Sequence, residues 1–249
     1  MNQIQLSGKT AVVTGAAGTM GRAVVEAMIE DGCKVALIDI NEAATQAIAQ
    51  AQKGTTLVVT CDISDFKAVQ RACDTIRTKL GDPDILVNNA GILSNNKVLQ
   101  TTPEEWRKVL GVNLDGAFYL AQQVIPAMKA KRWGRIINTC SLAAKTGGLT
   151  AGTTYAVSKG AMTSFTFSLA RELAPFGVTA NGISPAYVKT PMITEQLTEE
   201  QRQKLLKDIP VGRFCEPEEF AHAVRFLASP LAGFITGEIV DVNGGLLMD

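Results

Sequence analysis

Near the start of the chain stands the stretch Thr14-Gly15-Ala16-Ala17-Gly18-Thr19-Met20-Gly21, directly after the apolar run 10–13. The run predicts a first strand, and apolar residues at helical spacing from Met20 onward predict a first helix. A strand, a glycine-rich turn and a helix in this order place backbone N–H groups where a pyrophosphate can bind. Glycine spacing alone also occurs in α/β proteins that bind no nucleotide. The position in the first βα unit is therefore what supports a dinucleotide site.

Further short apolar runs follow along the chain, at 34–38, 56–59, 85–87, 135–137, 178–180 and 239–242. Runs that are apolar throughout are typical of strands buried on both faces, and the helical patterns between them indicate parallel βαβ units. We therefore predict an α/β fold, a Rossmann-like, doubly wound parallel sheet of about seven strands with helices on both faces. No linker or repeat interrupts the pattern, so residues 1–249 are predicted to form a single dinucleotide-binding and catalytic domain.

Composition excludes several classes of function. The 24 basic and 24 acidic residues give a net charge of zero, which argues against nucleic acid as a partner. The single histidine, His222, cannot build a multi-histidine metal site, so no metal is expected, and its surroundings predict an ordinary structural helix residue. Five cysteines without a C-x-x-C pair favour reduced thiols. No apolar run is long enough to span a membrane, so we expect a cytoplasmic protein with no membrane partner.

Two strand ends carry aspartates that suit an adenosine moiety. Asp39 ends the second strand, where a carboxylate can accept hydrogen bonds from ribose hydroxyls and repel a 2′-phosphate. The next residues, Ile40-Asn41-Glu42, offer no cation for such a phosphate, which favours NAD over NADP. Asp62 ends the third strand and is a candidate partner of the adenine amino group. The alternative for both aspartates is that each caps the helix that follows.

Tyr155 and Lys159 are four residues apart and therefore project from the same face of a predicted helix. Tyrosine is ordinarily a poor base at neutral pH, and a nearby ammonium group stabilises its phenolate form. Lys159 is the lone charge in the stretch 152–170, and burying a lone lysine is costly unless something compensates it. Together with the glycine turn and the strand-end Ser141, this pair indicates an acid–base site.

These features together resemble the short-chain dehydrogenase/reductase family in its compact single-domain branch. The resemblance covers nearly the whole chain, from about Leu6 to Asp249. The matching pieces are the glycine turn, Asp39, Asp62, Asn88-Asn89-Ala90-Gly91, Asn113, Ser141, Tyr155, Lys159 and 185–190, followed by 234–238 and 241–245.

The resemblance implies that Tyr155 exchanges a proton with the substrate oxygen and that Lys159 assists it and binds the nicotinamide ribose. It implies that Ser141 hydrogen-bonds the substrate oxygen and that Asn113 supports a water-linked proton relay. The carboxamide of the cofactor would be held by Val188 and Thr190. The implied cofactor-binding residues are Gly15, Gly18, Thr19, Met20, Gly21, Asp39, Ile40, Asp62, Ile63, Asn89, Ala90, Gly91, Tyr155, Lys159, Pro185, Val188 and Thr190.

The sequence departs from the compact branch at several positions. That branch has T-G-x-x-x-G-x-G in its glycine turn, whereas Thr19 stands here in place of the second glycine, and Gly18 precedes it. The resulting spacing resembles the nucleotide-sugar-modifying branch of the family. Ala186 replaces a common glycine, and Ser141 and Tyr155 are one residue further apart than is common. None of these changes removes a reacting group.

Four functions remain open from the sequence. The first is an NAD-dependent oxidoreductase that interconverts a secondary alcohol (a polyol, sugar, cyclic alcohol or hydroxy acid) and its ketone. The main alternative is a 3-oxoacyl thioester reductase, which Asp39 disfavours because biosynthetic reduction usually runs on NADPH. A non-catalytic NAD(H)-binding regulator would be expected to lose Tyr155 or Lys159. A nucleotide-sugar epimerase would need a larger C-terminal lobe.

Small-molecule recognition is expected to involve loops near Ser141. The predicted substrate residues are Ser94, Asn95, Leu142 and Tyr187, with Asn96 and the remainder of 142–149 and 187–192 completing the wall. Several of these side chains can donate or accept hydrogen bonds, which favours a polyol, sugar or hydroxy acid as the substrate. Asn95 and Asn96 also suit a plain loop-forming role. Residues 192–212 are predicted to form a mobile lid over the cleft.

Two helical stretches have almost no charge. Residues 109–128 contain Asp115 as their one charge, and residues 152–170 contain Lys159. A helix without a polar face must be covered on all sides. One side can face the sheet, so we predict that the other packs against a second subunit in a homo-oligomer, either a dimer or a tetramer. The alternative is that loops of the same chain cover both helices.

Overall fold

The computed structural model describes residues 6–195 and 198–248. Within them, seven parallel strands form one sheet in the order β3-β2-β1-β4-β5-β6-β7. The strands are β1 Thr10–Thr14, β2 Lys34–Asp39, β3 Thr56–Thr60, β4 Ile85–Asn88, β5 Gly134–Thr139, β6 Val178–Pro185 and β7 Ile239–Val242. The predicted Rossmann-like, doubly wound sheet is confirmed.

The strands are apolar throughout because both faces of the sheet are buried. Neighbouring residues of a strand point to opposite faces. Thus Val12 and Ile38 belong to one apolar cluster, and Val13 and Leu37 belong to the other. Every residue of β1 is buried, so this central strand packs against helices on both sides.

Helices cover both faces. Their bounds are α1 Thr19–Glu30, α2 Glu42–Ala51, α3 Phe66–Leu80, α4 Pro103–Leu110, α5 Gly116–Lys131, α6 Ala143–Thr146, α7 Thr153–Leu173, α8 Pro191–Thr194, α9 Glu199–Asp208 and α10 Pro217–Ala228. Side chains of α1 and α10 share the cluster that contains Val13, whereas α3, α5 and α7 contribute to the cluster that contains Val12. None of the helices within the described residues is long and apolar enough to cross a membrane.

The helical segment that contains the first weakly charged stretch, 109–128, begins before that stretch. It starts at Pro103, and the hydroxyl of Thr102 caps it by accepting a hydrogen bond from the Glu105 N–H at 3.2 Å. A π-helical turn, Gly111–Asp115, joins α4 to α5. The extra residue of a π turn changes the direction of the side chains that follow it, and such turns are frequent at functional sites. Here the turn contains Asn113.

The sheet reverses its winding between β1 and β4. The chain runs from β1 outward to β2 and β3, then returns to place β4 on the other side of β1. The loops that leave the carboxyl ends of β1 and β4 therefore diverge and open a crevice, which is where ligands of doubly wound sheets bind. The glycine turn follows β1, and Asn89-Ala90-Gly91 follows β4, so the topology brings both predicted motifs to this crevice.

Candidate active site

The glycine turn packs tightly against the loop that follows β4. Gly15 has a φ of +64°, and a Cβ placed on it would lie 2.8 Å from the Cα of Ala90. A Cβ on Gly21 would overlap the carbonyl oxygen of Gly15. Glycine is therefore required at both positions, at Gly15 by conformation and contact and at Gly21 because α1 lies directly on the turn.

Thr14 fastens the two loops together, a role that the sequence analysis did not assign. Its hydroxyl oxygen accepts hydrogen bonds from the backbone N–H groups of Asn89 and Ala90, each at 3.0 Å. The Asn89 side-chain amide donates in return to the Thr14 carbonyl oxygen at 3.0 Å. The available signal was a polar residue at the end of an otherwise apolar strand.

The N-terminus of α1 offers unpaired donors to an anion. Its N-cap residue is Gly18, and no side chain caps the helix. The N–H groups of the first helical turn have no acceptor within the helix, and the helix dipole favours negative charge there. Thr19 is the first helical residue, so the position does not require glycine. This explains structurally why threonine is compatible with the turn.

Asp39 is joined to the glycine turn rather than to a helix. Its carboxylate accepts a hydrogen bond from the Ala17 N–H at 3.0 Å and another from the Asn41 N–H at 2.9 Å. The N-cap of α2 is Asn41, whose side chain accepts from the Ala44 N–H. The alternative that Asp39 caps this helix is therefore wrong. Its role toward a ribose stays a prediction.

Asp62 does not cap the next helix either. Its carboxylate accepts hydrogen bonds from the Ser64 N–H at 2.9 Å and from the Ser64 hydroxyl at 2.7 Å, whereas Asp65 caps α3. Ile63 is buried, and its side chain fills the space in front of Gly116. Only the backbone of Ile63 is therefore available to a cofactor. Ile40, in contrast, is 73% exposed beside Asp39.

A cleft of about 630 Å³ opens at the carboxyl ends of β4, β5 and β6. It contains many of the predicted residues: Met20, Asn89, Gly91, Asn95, Ser141, Leu142, Tyr155, Lys159, Pro185, Tyr187, Val188 and Thr190. The other predicted cofactor residues are not part of its wall and follow β1, β2, β3 and β4: Gly15, Gly18, Thr19, Gly21, Asp39, Ile40, Asp62, Ile63 and Ala90. His222 is exposed on α10 and is not part of this wall.

Lys159 lies beneath Tyr155 on the same face of α7. Its side chain is almost completely buried, and its Nζ donates a hydrogen bond to the Thr139 carbonyl oxygen at 2.6 Å. The same nitrogen lies 5.8 Å from the centre of the Tyr155 ring. The carbonyl and the aromatic ring both compensate the buried ammonium.

Asn113 holds the floor of the site together. Its side-chain oxygen accepts from the Ile92 N–H at 2.8 Å, and its amide donates to the Ile92 carbonyl and to the Ser158 hydroxyl, each at 3.0 Å. The Ser158 hydroxyl donates in turn to the Tyr155 carbonyl oxygen at 2.7 Å. Asn113 therefore links the loop after β4 to the helix that carries Tyr155. The predicted proton relay through Asn113 stays a prediction.

Ser141 directs its hydroxyl toward the cleft. The oxygen accepts a weak hydrogen bond from the Ala143 N–H at 3.2 Å, and within the described residues its O–H has no acceptor. The O–H is thus available to a ligand oxygen. The neighbouring Cys140 is buried, and this burial raises the pKa of its thiol, so it stays protonated and serves as part of the wall.

The structure does not bring Ser94 into the cleft. Ser94 is buried, and its hydroxyl donates a hydrogen bond to the Glu105 carboxylate on α4. The sequence predicted it as a substrate residue because it is a hydrogen-bonding residue close after the Asn88-Asn89-Ala90-Gly91 turn, but the loop directs its side chain toward α4. The wall instead includes six residues that the sequence analysis missed, although they adjoin predicted ones: Leu93, Thr139, Cys140, Thr150, Ala151 and Ala186.

The predicted lid is built from α8 and α9. Leu205 of α9 reaches the wall of the cleft, and Ile209 just after α9 is buried. Residues 196 and 197 of the predicted segment lie outside the described residues. The mobility of this segment stays a prediction.

Comparisons with known proteins agree with this geometry. A family model described as Enoyl-(Acyl carrier protein) reductase matches residues 15–247. The chain is 39% identical to the 3-oxoacyl-[acyl-carrier-protein] reductase FabG of Vibrio harveyi, over 98% of this chain and 100% of that protein.

Two solved structures from Brucella melitensis share the fold closely. One is a 3-oxoacyl-[acyl-carrier protein] reductase with bound NAD, 34% identical, with a TM-score of 0.91 over 99% of this chain and 95% of the other. The second is titled short-chain dehydrogenase/reductase, glucose/ribitol dehydrogenase. It is 32% identical, with a TM-score of 0.91 over 99% of this chain and all of the other.

Removing the Asn113 side chain should destabilise the protein. In Asn113→Ala, the Ile92 N–H and carbonyl lose their partners in a buried setting, and we expect the free energy of unfolding to fall by about 3 kcal/mol. Urea denaturation measures the change. Asn95→Ala, at an exposed asparagine of the cleft, is the matched control and should change stability by less than about 0.5 kcal/mol. Equal effects of the two substitutions would contradict the role of Asn113.

Proposed function

The chain is an oxidoreductase of the short-chain dehydrogenase/reductase family, and from this premise we propose that it reduces 3-oxoacyl thioesters to 3-hydroxyacyl thioesters with NADH. The observation that carries the proposal is the apolar wall of the cleft. Leu93, Leu142, Ala143, Leu149 and Leu205 line it. An acyl chain suits this wall, whereas each polyol hydroxyl buried there without a partner would cost about 1–3 kcal/mol.

The relatives support the same substrate class. The protein from Vibrio harveyi and one of the two Brucella structures are named as 3-oxoacyl-[acyl-carrier-protein] reductases. This ranking reverses the sequence-based order, which placed a polyol, sugar, cyclic alcohol or hydroxy acid first. That order rested on Ser94, Asn95, Asn96, Lys145 and Tyr187 as hydrogen-bonding groups. Ser94 and Asn96 are instead both bound to Glu105.

The reacting groups have separate roles in this proposal. The Ser141 O–H donates a hydrogen bond to the ketone oxygen and stabilises the negative charge that develops on it. The Tyr155 hydroxyl delivers a proton to the same oxygen. Lys159, fixed by the Thr139 carbonyl, stabilises the phenolate form of Tyr155 that remains after the proton is transferred. Bound nicotinamide supplies the hydride.

The residues present fit a dinucleotide. The uncapped N-terminus of α1 suits its pyrophosphate, and Gly15 lets the turn before this helix lie directly against Ala90. Tyr155 and Lys159 would hold the nicotinamide ribose, and Val188 and Thr190 its carboxamide. The Asp39 carboxylate supports NAD(H) over NADP(H), because it would repel a 2′-phosphate beside the exposed, uncharged Ile40.

A second candidate is a sugar or polyol dehydrogenase. Asn95, Thr146 and Thr150 contribute polar groups to the cleft, and one similar structure is titled a glucose/ribitol dehydrogenase. A non-catalytic regulator has no specific observation in its favour, because Ser141, Tyr155 and Lys159 are all gathered at the cleft.

The cytoplasm remains the expected location, and five free cysteines suit its reducing environment.

A substrate panel separates the two candidates. Purified protein is mixed with NADH and 3-oxoacyl thioesters of increasing chain length, and in parallel with NAD and polyols or sugars, while the absorbance of reduced nicotinamide is followed. We expect kcat/KM for the thioesters to exceed that for polyols by at least about 100-fold, since unpaired hydroxyls are penalised in an apolar pocket. Faster turnover of polyols would establish the second candidate instead.

Tyr155→Phe should lower kcat about 1,000-fold while leaving NADH binding intact.

Asp39 should control the choice of cofactor. In Asp39→Ala the repulsion of a 2′-phosphate disappears, and we expect the preference for NADH over NADPH, as a ratio of kcat/KM values, to fall at least about tenfold. Glu42→Ala, at an exposed carboxylate of the following helix, is the matched control and should leave the ratio unchanged. A ratio that is the same in Asp39→Ala as in the original protein would exclude the ribose role.

We further propose a homo-oligomer, a dimer or tetramer, formed through α5 and α7. Phe118 is 44% exposed, and Val157 and Phe167 are 43% and 48% exposed on these helices. Large apolar side chains on adjacent exposed helix faces are typical of subunit interfaces.

The oligomer is tested by its mass in solution. Light scattering at micromolar concentration should give a dimer or tetramer, and the double substitution of Phe118→Glu with Phe167→Glu should lower the mass because it buries two charges at the interface. Circular dichroism of the variant controls for folding. A monomeric mass of the unmodified chain would refute the interface.

A further inference from the structure

The loop 93–99, which follows β4, lies against the loop 147–152, which precedes α7. Lys97 extends across the gap between them. Its Nζ donates hydrogen bonds to the Gly148 carbonyl oxygen at 2.9 Å and to the Ala151 carbonyl oxygen at 2.6 Å. Hydrogen bonds from a charged donor are about twice as strong as those between neutral groups. One side chain of the first loop therefore fixes two carbonyls of the second.

The loop 147–152 needs such support because of its sequence. Gly147 and Gly148 both adopt positive φ values, +71° and +82°, and no atom lies within 4 Å of a Cβ placed on Gly147. Glycine has the most backbone freedom of any residue, so contacts with the surroundings must fix the conformation of this segment. Yet Leu149, Thr150 and Ala151 form part of the cleft wall, and the same loop separates Ser141 from Tyr155.

The loop 93–99 is itself anchored to α4. The Glu105 carboxylate accepts hydrogen bonds from the Ser94 hydroxyl and from the Asn96 side-chain amide, the latter at 2.7 Å. These two bonds lower the pKa of Glu105 below its ordinary value, so the carboxylate is ionised at neutral pH. The backbone segment that carries Lys97 is thus held in place by α4.

Backbone hydrogen bonds attach the end of the loop 147–152, next to α7, to the loop 93–99, but they do not reach Gly147 and Gly148. The Gly152 N–H donates to the Ser94 carbonyl at 2.7 Å, and the Thr153 N–H donates to the Asn96 carbonyl at 3.0 Å. A Cβ at Gly152 would overlap the backbone of Asn96, so the two chains are in close contact there. Among the described residues, Lys97 is the side chain that extends this attachment to Gly148 and Ala151.

We propose that Lys97 is a positioning residue that holds the loop 147–152 as the substrate-facing wall and so sets the affinity for the carbonyl substrate. It touches no reacting atom and acts through Leu149, Thr150 and Ala151. The effect on substrate affinity rests on the proposed function, whereas the effect on the order of the loop does not.

The test compares three variants of the full chain. Lys97→Met removes both hydrogen bonds and keeps an apolar stem of similar length, Lys97→Arg restores a charged donor, and Lys108→Met removes an exposed lysine of α4. For each variant, kcat and KM are measured with the best 3-oxoacyl thioester, together with the Kd for NADH and the Tm. Amide hydrogen exchange of residues 147–153 is measured without any substrate.

In Lys97→Met we expect KM to rise about tenfold with kcat changed less than about threefold, because wall contacts that bind ground state and transition state alike are lost. The Kd for NADH should stay within about twofold, since Gly15 and Asp39 lie outside the wall that this loop forms. The Gly152 and Thr153 amides, which donate to the Ser94 and Asn96 carbonyls, should exchange at least about tenfold faster, and those of 161–173 should not change. Lys97→Arg should recover most of the KM, and Lys108→Met should match the original protein.

Two outcomes would overturn the proposal: an unchanged KM together with unchanged exchange at Gly152 and Thr153, or a parallel loss of NADH affinity, Tm and exchange protection throughout the chain. The failure of the proposed function has a different signature. In that case the original protein turns over no 3-oxoacyl thioester, while hydrogen exchange still shows whether Lys97 orders the loop.

Discussion

The hydroxyl of Thr14 joins two loops that the sheet topology drives apart. The strands β1 and β4 are neighbours, but their loops leave in opposite directions, because the winding of the sheet reverses between them. By accepting the N–H groups of Asn89 and Ala90, Thr14 keeps the glycine turn in contact with the loop after β4. The crevice has a closed floor as a result, and Gly15 is required because Ala90 lies so close.

From this floor a series of buried polar contacts leads to the reacting groups. The Asn88 amide donates to Asn138 at 2.8 Å, and the Asn138 amide donates to Thr166 of α7 at 2.9 Å, so β4, β5 and α7 are linked. Asn113 and Lys159 make the corresponding links to Ile92 and Thr139. Buried polar networks specify one arrangement, because each partner that is lost leaves an unsatisfied group in a low-dielectric interior. The relative placement of Ser141, Tyr155 and Lys159 follows from these links.

In the proposed reaction, the chemistry and the choice of substrate have different structural origins. Tyr155 and Lys159 belong to α7, and Ser141 stands two residues after the end of β5. Placement on or next to rigid elements suits groups that must be placed accurately. The wall that meets the rest of the substrate is made of loops and of α9, and its surface is largely apolar around Leu93, Leu149 and Leu205. Loops carry specificity on a scaffold that carries the reaction, so related chains can share the reacting groups and differ in substrate.

By itself, the sequence determined the sheet, the glycine turn and the pairing of Tyr155 with Lys159 on one helix face. These follow from local patterns: apolar runs buried on both faces, glycines in the first βα turn, and a four-residue spacing that puts Tyr155 and Lys159 on one helix face. Only the tertiary structure decided that Ser94 turns toward Glu105, that Asp39 binds the glycine turn and not α2, and that Lys97 reaches Gly148. Each of these contacts depends on the direction in which one side chain points toward another segment of the chain. Residue type and local spacing do not encode that direction, because packing of the whole chain sets it.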